Sequence, residues 1–409
     1  MGPTSFQHGG WRRRVLAAAS LGLLAEAAIG LFMVRGGHVG AALLGRDFGT
    51  FWAAGHLLLS GAVGTVFDPG AIGQWIAGRF PFIHGVRLWS YPPSMALLVL
   101  PLALAPPLAA WVAWQIAGFA ALLGALRAVF GAAMLRRAAP LLLVLPAVWD
   151  NLLVGQNACF TGALIILGYG LLDRRQGAAG AALGALTVKP QLGLLAPVAL
   201  LAGRRWRAIA AAALVALLLG ALSALLFPGA WALFFRQVAP VMAERFRQVW
   251  GPTPIQAYMA SPFFAALALG LPRGLAWLAQ SVVSAIAVVA MARLWRAPVA
   301  PEARASRLLA SAALGLAATP FALDYDAVGA SVLLVVAGLA DPTLRRGATF
   351  GFALVALAQP GWCLLLALWA HLPPVAWVAW FALGCRIAFA PGEAAVRIAP
   401  DAALGGTMR

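Results

Sequence analysis

Apolar runs long enough to cross a bilayer recur along the whole of this 409-residue chain, and they constrain its fold more than any other feature. About 20 apolar residues span the roughly 30 Å hydrocarbon core as a helix. Only helices and closed barrels satisfy their backbone groups there. The runs are continuous, without the alternation of a transmembrane β-barrel. Hydrophobic residues make up 63% of the chain and mean hydropathy is +0.90, against roughly 45–50% apolar in a soluble domain. The sequence predicts an all-α polytopic membrane protein.

The formal net charge is +17. The arginines sit in short clusters between apolar runs: Arg12-Arg13-Arg14, Arg136-Arg137, Arg174-Arg175, Arg204-Arg205 and Arg345-Arg346. That is the positive-inside pattern that orients helices in a membrane, with contact to anionic lipid. The expected partner is the lipid bilayer, and no nucleic acid. Cys159, Cys363 and Cys385 lack CxxC spacing, and the five histidines form no HExxH. Neither a metal nor a cofactor is expected from these spacings.

Residues 12–34 look like a signal peptide at first sight, but their apolar part is long for one, so a retained first helix is expected. Spans are placed near 14–34, 108–130, 138–152, 158–172, 177–188, 190–203, 207–227, 274–292, 307–321, 326–340, 348–370 and 374–390, about 12 in all. Residues 94–105, closed by Pro106-Pro107, read as a juxtamembrane or re-entrant helix. The expected organisation is a cytoplasmic tail (1–13), a single transmembrane domain (14–390) and a cytoplasmic C-terminal tail (391–409). Within the domain lie a long first extracytoplasmic loop with interfacial helices (35–92) and a second larger loop (228–261). In this arrangement, of the 29 Lys and Arg residues, only Arg35, Arg46, Arg79, Arg87, Lys189, Arg236, Arg245, Arg247 and Arg273 face outward.

Only 12 residues are acidic, which makes Arg46-Asp47-Phe48 conspicuous just beyond the first span. The outer turns also hold Tyr91, Asp150-Asn151, Gln156-Asn157, Lys189, Gln191, Asp324 and Asp326. Polar groups at the hydrocarbon edge are costly unless paired or wet, so their gathering on one face predicts a shared cavity. The bland readings stand beside this one. Asp47 can pair with Arg46, Tyr91-Pro92-Pro93 can be a helix start, and Gln156-Asn157 can cap a helix. Lys189 can snorkel to headgroups. Glu26 lies mid-span, where an unpaired charge costs about 2.5–3.5 kcal/mol, and no role follows for it.

Five pieces in order resemble glycosyltransferase family 87. They are Asp47-Phe48 with Gly61 and Phe67-Asp68-Pro69, running on to Tyr91-Pro92-Pro93; Gly155-Gln156-Asn157; Lys189-Pro190 after Gly180; Arg204-Arg205-Trp206; and Thr319-Pro320 through Tyr325-Asp326. The order also resembles the eukaryotic mannosyltransferases that build glycolipid anchors, and the resemblance covers about residues 40–330. It implies a GT-C-like bundle in a bacterial inner membrane with its active site on the extracytoplasmic side. It implies a polyprenyl-phosphate-sugar donor (mannose or another sugar), a glycolipid or glycan acceptor, and Asp47 as catalytic base. Tyr325-Asp326 stands where members nearest the mannosyltransferases often carry a His.

The chemistry agrees. Sugar transfer to a hydroxyl needs a base, and a carboxylate at a partly desolvated edge has the raised proton affinity a base needs. The departing phosphate needs cations, which Arg46, Lys189 or another outer-loop Arg supplies. Displacement by one base inverts the anomeric carbon. The expected substrate-binding residues are Arg46, Tyr91, Gln156, Asn157, Lys189, Gln191, Tyr325 and Asp326. Asp324-Tyr325-Asp326 has DxD spacing but sits at a helix start, and no metal is assigned to it. The competing function is a transporter or flippase of lipid-linked sugar, which places substrate groups near the midplane between repeated halves. No repeat is evident here. A non-catalytic membrane scaffold is the third reading.

Overall fold

The computed structural model describes residues 4–35, 47–80, 87–244, 259, 261–296, 298–341, 344, 348–358 and 376–390. Among these residues the regular structure is helical, with no strand; an isolated bridge pairs Met259 with Leu323. Three described helices are long and apolar enough to cross a membrane: Pro107–Leu142, Trp206–Leu226 and Arg273–Arg296. Helix Thr4–Arg35, at the first expected position, has 32 residues; those at several other expected positions are shorter, including Ala158–Gly170, Gln176–Ala185, Ala196–Ala202 and Val328–Ala340. The described helices therefore do not carry a count of 12 full spans. The reason is local: Pro and Gly interrupt the apolar runs, as where Pro190 follows Lys189 and removes a backbone donor. Helix Trp206–Leu226 turns bare leucines outward, Leu217 71% and Leu225 76% exposed, a face suited to lipid and costly in water.

Side-chain contacts divide the molecule into two ends. At one, Arg12 donates to the carbonyl of Arg137, Arg205 and Arg307 both pair with Asp173, and Arg304 donates to the carbonyl of Gly170. At the other lie Asn157, just before helix Ala158–Gly170, and Asp326, just before Val328–Ala340. Thirteen residues at about 1.5 Å each set the ends roughly 20 Å apart. Arg12, Arg137, Arg205, Arg304 and Arg307 thus lie at the opposite end from Asn157 and Asp326, while Arg345-Arg346 lies outside the described residues.

Residues 176–203 leave the arginine end and return to it, because Asp173 before them contacts Arg205 after them. Lys189 is the tip of this hairpin, between the short 3₁₀ turns Leu186–Val188 and Pro190–Gly193. The ascending leg lies parallel to Trp206–Leu226 in backbone contact. A Cβ on Gly180 would strike the carbonyl oxygen of Ala208, and one on Gly184 that of Ala212. The pair forms a Gly-x-x-x-Gly contact of the kind that lets membrane helices approach closely.

Residues 94–105 lie on a segment that doubles back. Asn157 donates to the Met95 sulfur at 3.9 Å, and Trp114 donates to the Gln156 carbonyl at 3.1 Å. Residues 95 and 114 therefore lie at one level, and the chain between them goes out and returns. Ahead of this piece, helices Phe48–Leu59, Val63–Phe67 and Pro69–Arg79 share an apolar cluster with Trp89, Tyr91 and Met95. Asp68 caps the third of these helices, accepting from Gly70 and Ala71 N–H at 2.8 and 2.9 Å.

Gly184→Leu is expected to destabilise the fold by about 3 kcal/mol or more, since the obstacle is backbone and cannot rotate away. Thermal unfolding in detergent checks this; an unchanged midpoint would contradict the packing.

Candidate active site

The turn Gly155-Gln156-Asn157 organises the site. Gly155 ends helix Pro146–Val154 in the left-handed region at φ 74°, which glycine adopts at little cost. The following helix is capped from a distance: Asn151 Oδ1 accepts from Ala158 N–H at 2.8 Å. Capping therefore falls to Asn151, and the side chains of Gln156 and Asn157 are left for other partners.

Gln156 is a hub. Its Oε1 accepts from Tyr91 Oη–H at 2.9 Å and from Asn157 N–H at 3.2 Å. A backbone N–H can only donate, so the amide orientation is fixed and Nε2 faces away from these donors. Nε2 donates to Asp47 Oδ2 at 2.7 Å. The Asp47 backbone N–H donates to the Val154 carbonyl at 2.9 Å, anchoring the residue at the start of Phe48–Leu59. Oδ1 of Asp47 has no hydrogen bond among the described residues. Burial first, then the nearby Asp47 charge, push the Tyr91 phenol well above its ordinary pKa, so it remains a neutral donor.

Lys189 and Asp326 form a second, buried unit. Lys189 Nζ meets Asp326 Oδ1 at 2.5 Å, the side chains 2% and 0% exposed. Nζ also donates to Asn157 Oδ1 at 3.4 Å and lies 4.7 Å from the Tyr325 ring centre. Asp326 Oδ2 accepts from Leu323 N–H at 3.2 Å. Both carboxylate oxygens are engaged, so Asp324-Tyr325-Asp326 does not present an open DxD pair.

These units border a cavity of about 400 Å³. Its polar wall carries Asp47, Arg87, Tyr91, Gln156, Lys189, Gln191 and Tyr325; its apolar wall carries Phe234, Met242, Met259, Phe321 and Leu323. Of the residues expected from sequence, Asp47, Tyr91, Gln156, Lys189, Gln191 and Tyr325 line the cavity. Asn157 and Asp326 hold Lys189 from behind. Arg46 and the side chain of Glu26 lie outside what is described. Arg87 was not singled out by sequence, where it is one outer-loop arginine among several. Its signal was its place four residues before Tyr91, on the segment leading to Pro92-Pro93.

A sequence model of glycosyltransferase family 87 matches residues 89–320, more than half of the chain. No curated protein and no solved structure matches it. The match begins after Asp47, so the tie between Asp47 and the matched region is carried by its bonds to Gln156 and Val154.

Lys189→Met is expected to destabilise the protein by about 3–5 kcal/mol, because it leaves Asp326 buried and unpaired. Adding Asp326→Leu should recover most of that loss in thermal unfolding. A double variant no more stable than the single one would show that the pair is not what holds this region.

Proposed function

The chain belongs to glycosyltransferase family 87, and on that premise we propose that it transfers a sugar from a polyprenyl-phosphate donor to an acceptor hydroxyl with Asp47 as general base. The observation that carries this reading is the Asp47 carboxylate held by Gln156 on the wall of a cavity that also presents Arg87. Gln156 occupies Oδ2 and leaves Oδ1 to accept the acceptor's proton. Tyr91, staying protonated, keeps Gln156 in that orientation.

Arg87 is the cation we assign to the donor phosphate, by its forked guanidinium. Lys189 adds positive potential, but its charge is already balanced by Asp326. Lys189, favoured by sequence, and Arg87 stand on the same cavity wall, where both contribute to phosphate binding. The lipid chain of the donor lies along Phe234, Met242, Met259 and Phe321. The acceptor is a glycolipid or glycan entering beside Asp47 and Gln191. A single base on one face of the sugar inverts the anomeric carbon. We take the opposed arginine end as the cytoplasmic one by the positive-inside rule, which supports an extracytoplasmic cavity.

Asp47→Asn is expected to lower transfer from radiolabelled lipid donor by about 10²–10⁴-fold with donor binding and folding intact. Asp47→Glu recovers little, since a displacement of about 1 Å misplaces the base. Near-normal transfer by folded Asp47→Asn would move the base elsewhere, and donor translocation without transfer in wild type would favour a flippase. For orientation, a reporter active only outside the cytoplasm should work when fused after residue 60 and fail after residue 137 or 205. The reverse pattern would invert the topology.

A further inference from the structure

The Arg204-Arg205-Trp206 motif lies at the end opposite the cavity, so its chemistry needs a separate account. Three chain segments converge there. Asp173 is the carboxylate they share, and both its oxygens are engaged, Oδ1 by Arg205 and Oδ2 by Arg307. Arg304 is spent on the carbonyl of Gly170. Arg174, beside Asp173, and Arg204, beside Arg205, are exposed and have no ion pair among the described residues. Glu302 is also exposed and reaches none of these arginines with an ion pair. The junction therefore holds several guanidiniums around one neutralised acid.

Two further observations point to an anion. Arg307 is 3% exposed, yet its Nε, like that of Arg205, has no hydrogen-bond partner among the described residues. Arg204 is the only described non-glycine residue with positive φ, at 52°. It ends helix Ala196–Ala202, with Arg204 N–H on the Leu201 carbonyl at 3.1 Å and Arg205 N–H on Leu200 at 2.9 Å. Glycine is the residue that suits this left-handed position; an arginine there accepts backbone strain to place a charge. Next to it Trp206 is 63% exposed, and an exposed indole beside arginines is a headgroup-level anchor.

We propose that this junction binds the phosphate group of an anionic phospholipid, with Arg174 and Arg204 as the ligands that engage it and Trp206 seated at the headgroup boundary. Basic pockets between membrane helices hold anionic headgroups in this way. The shared chemistry is a phosphate anion; the exposed indole favours one carried on a lipid over one free in solution.

The test uses the full chain in phosphatidylcholine nanodiscs, titrated with phosphatidylglycerol and read by thermal unfolding and by lipid retained in native mass spectrometry. Wild type should retain phosphatidylglycerol in preference. Arg204→Gly and Arg174→Gln should each weaken that preference about fivefold, the effect of one basic residue near a membrane surface. Arg204→Gly should unfold in phosphatidylcholine no earlier than wild type, since glycine suits the turn. Wild type without preference, or both variants with the full preference, would overturn the proposal. Inorganic phosphate alone should not stabilise the protein; stabilisation equal to that by phosphatidylglycerol would assign the site to free phosphate instead.

Discussion

A lysine ammonium enclosed in an apolar helical bundle carries a desolvation cost of several kcal/mol unless a counter-charge meets it with good geometry. Lys189 is such a group, and Asp326 meets it at 2.5 Å. The pair fixes the tip of the hairpin 176–203 against the turn that starts helix Val328–Ala340. Asn157 joins as a third partner, which brings in the turn after Gly155. From Asn157 the connection runs by its own backbone N–H to Gln156, and from Gln156 to Asp47. One continuous run of bonds thus links segments far apart in sequence. The Lys189–Asp326 pair, with the Lys189 ammonium over the Tyr325 ring, holds the hairpin tip to the turn behind it.

This arrangement separates support from chemistry. Asp326 and Asn157 serve Lys189, and Tyr91 serves Gln156. Asp47 Oδ1 and the Arg87 side chain both border the cavity, one suited to take a proton and the other to hold a phosphate. A hydrogen-bonded network in a low-dielectric interior is strong when complete and costly when one member is lost. That accounts for so many polar side chains gathered at one end of a chain that is 63% hydrophobic.

Much of this was legible in the sequence for identifiable reasons. Continuous apolar runs fixed the helical membrane class, and clustered arginines marked one end. Tyr91, Gln156, Asn157, Lys189, Tyr325 and Asp326 stood out because polar residues are scarce among apolar ones. The pairing of Lys189 with Asp326 was not legible, because a contact across 137 residues leaves no local pattern. Nor was the division of labour in the turn, where Asn151 does the capping and leaves Gln156 to hold Asp47. Arg87 was obscured by its ordinary setting in a long loop. The breaks at Gly155 and before Pro190 were legible as ends of apolar runs, but the described helices do not establish the count of about 12 spans. The Gly180 and Gly184 contact was open to sequence as a Gly-x-x-x-Gly spacing, but its partner, the backbone at Ala208 and Ala212, was not.

The central claim is that sugar transfer takes place in the cavity between Asp47 and Arg87. A density map of the protein with a non-hydrolysable polyprenyl-phosphate-sugar analogue tests it most directly. The account predicts the phosphate within hydrogen-bond distance of the Arg87 guanidinium, the anomeric carbon facing Asp47, and the isoprenoid along Phe234 and Met242. An analogue bound elsewhere, or in this cavity with its phosphate on Asp47's side and its sugar turned away from the carboxylate, would contradict it.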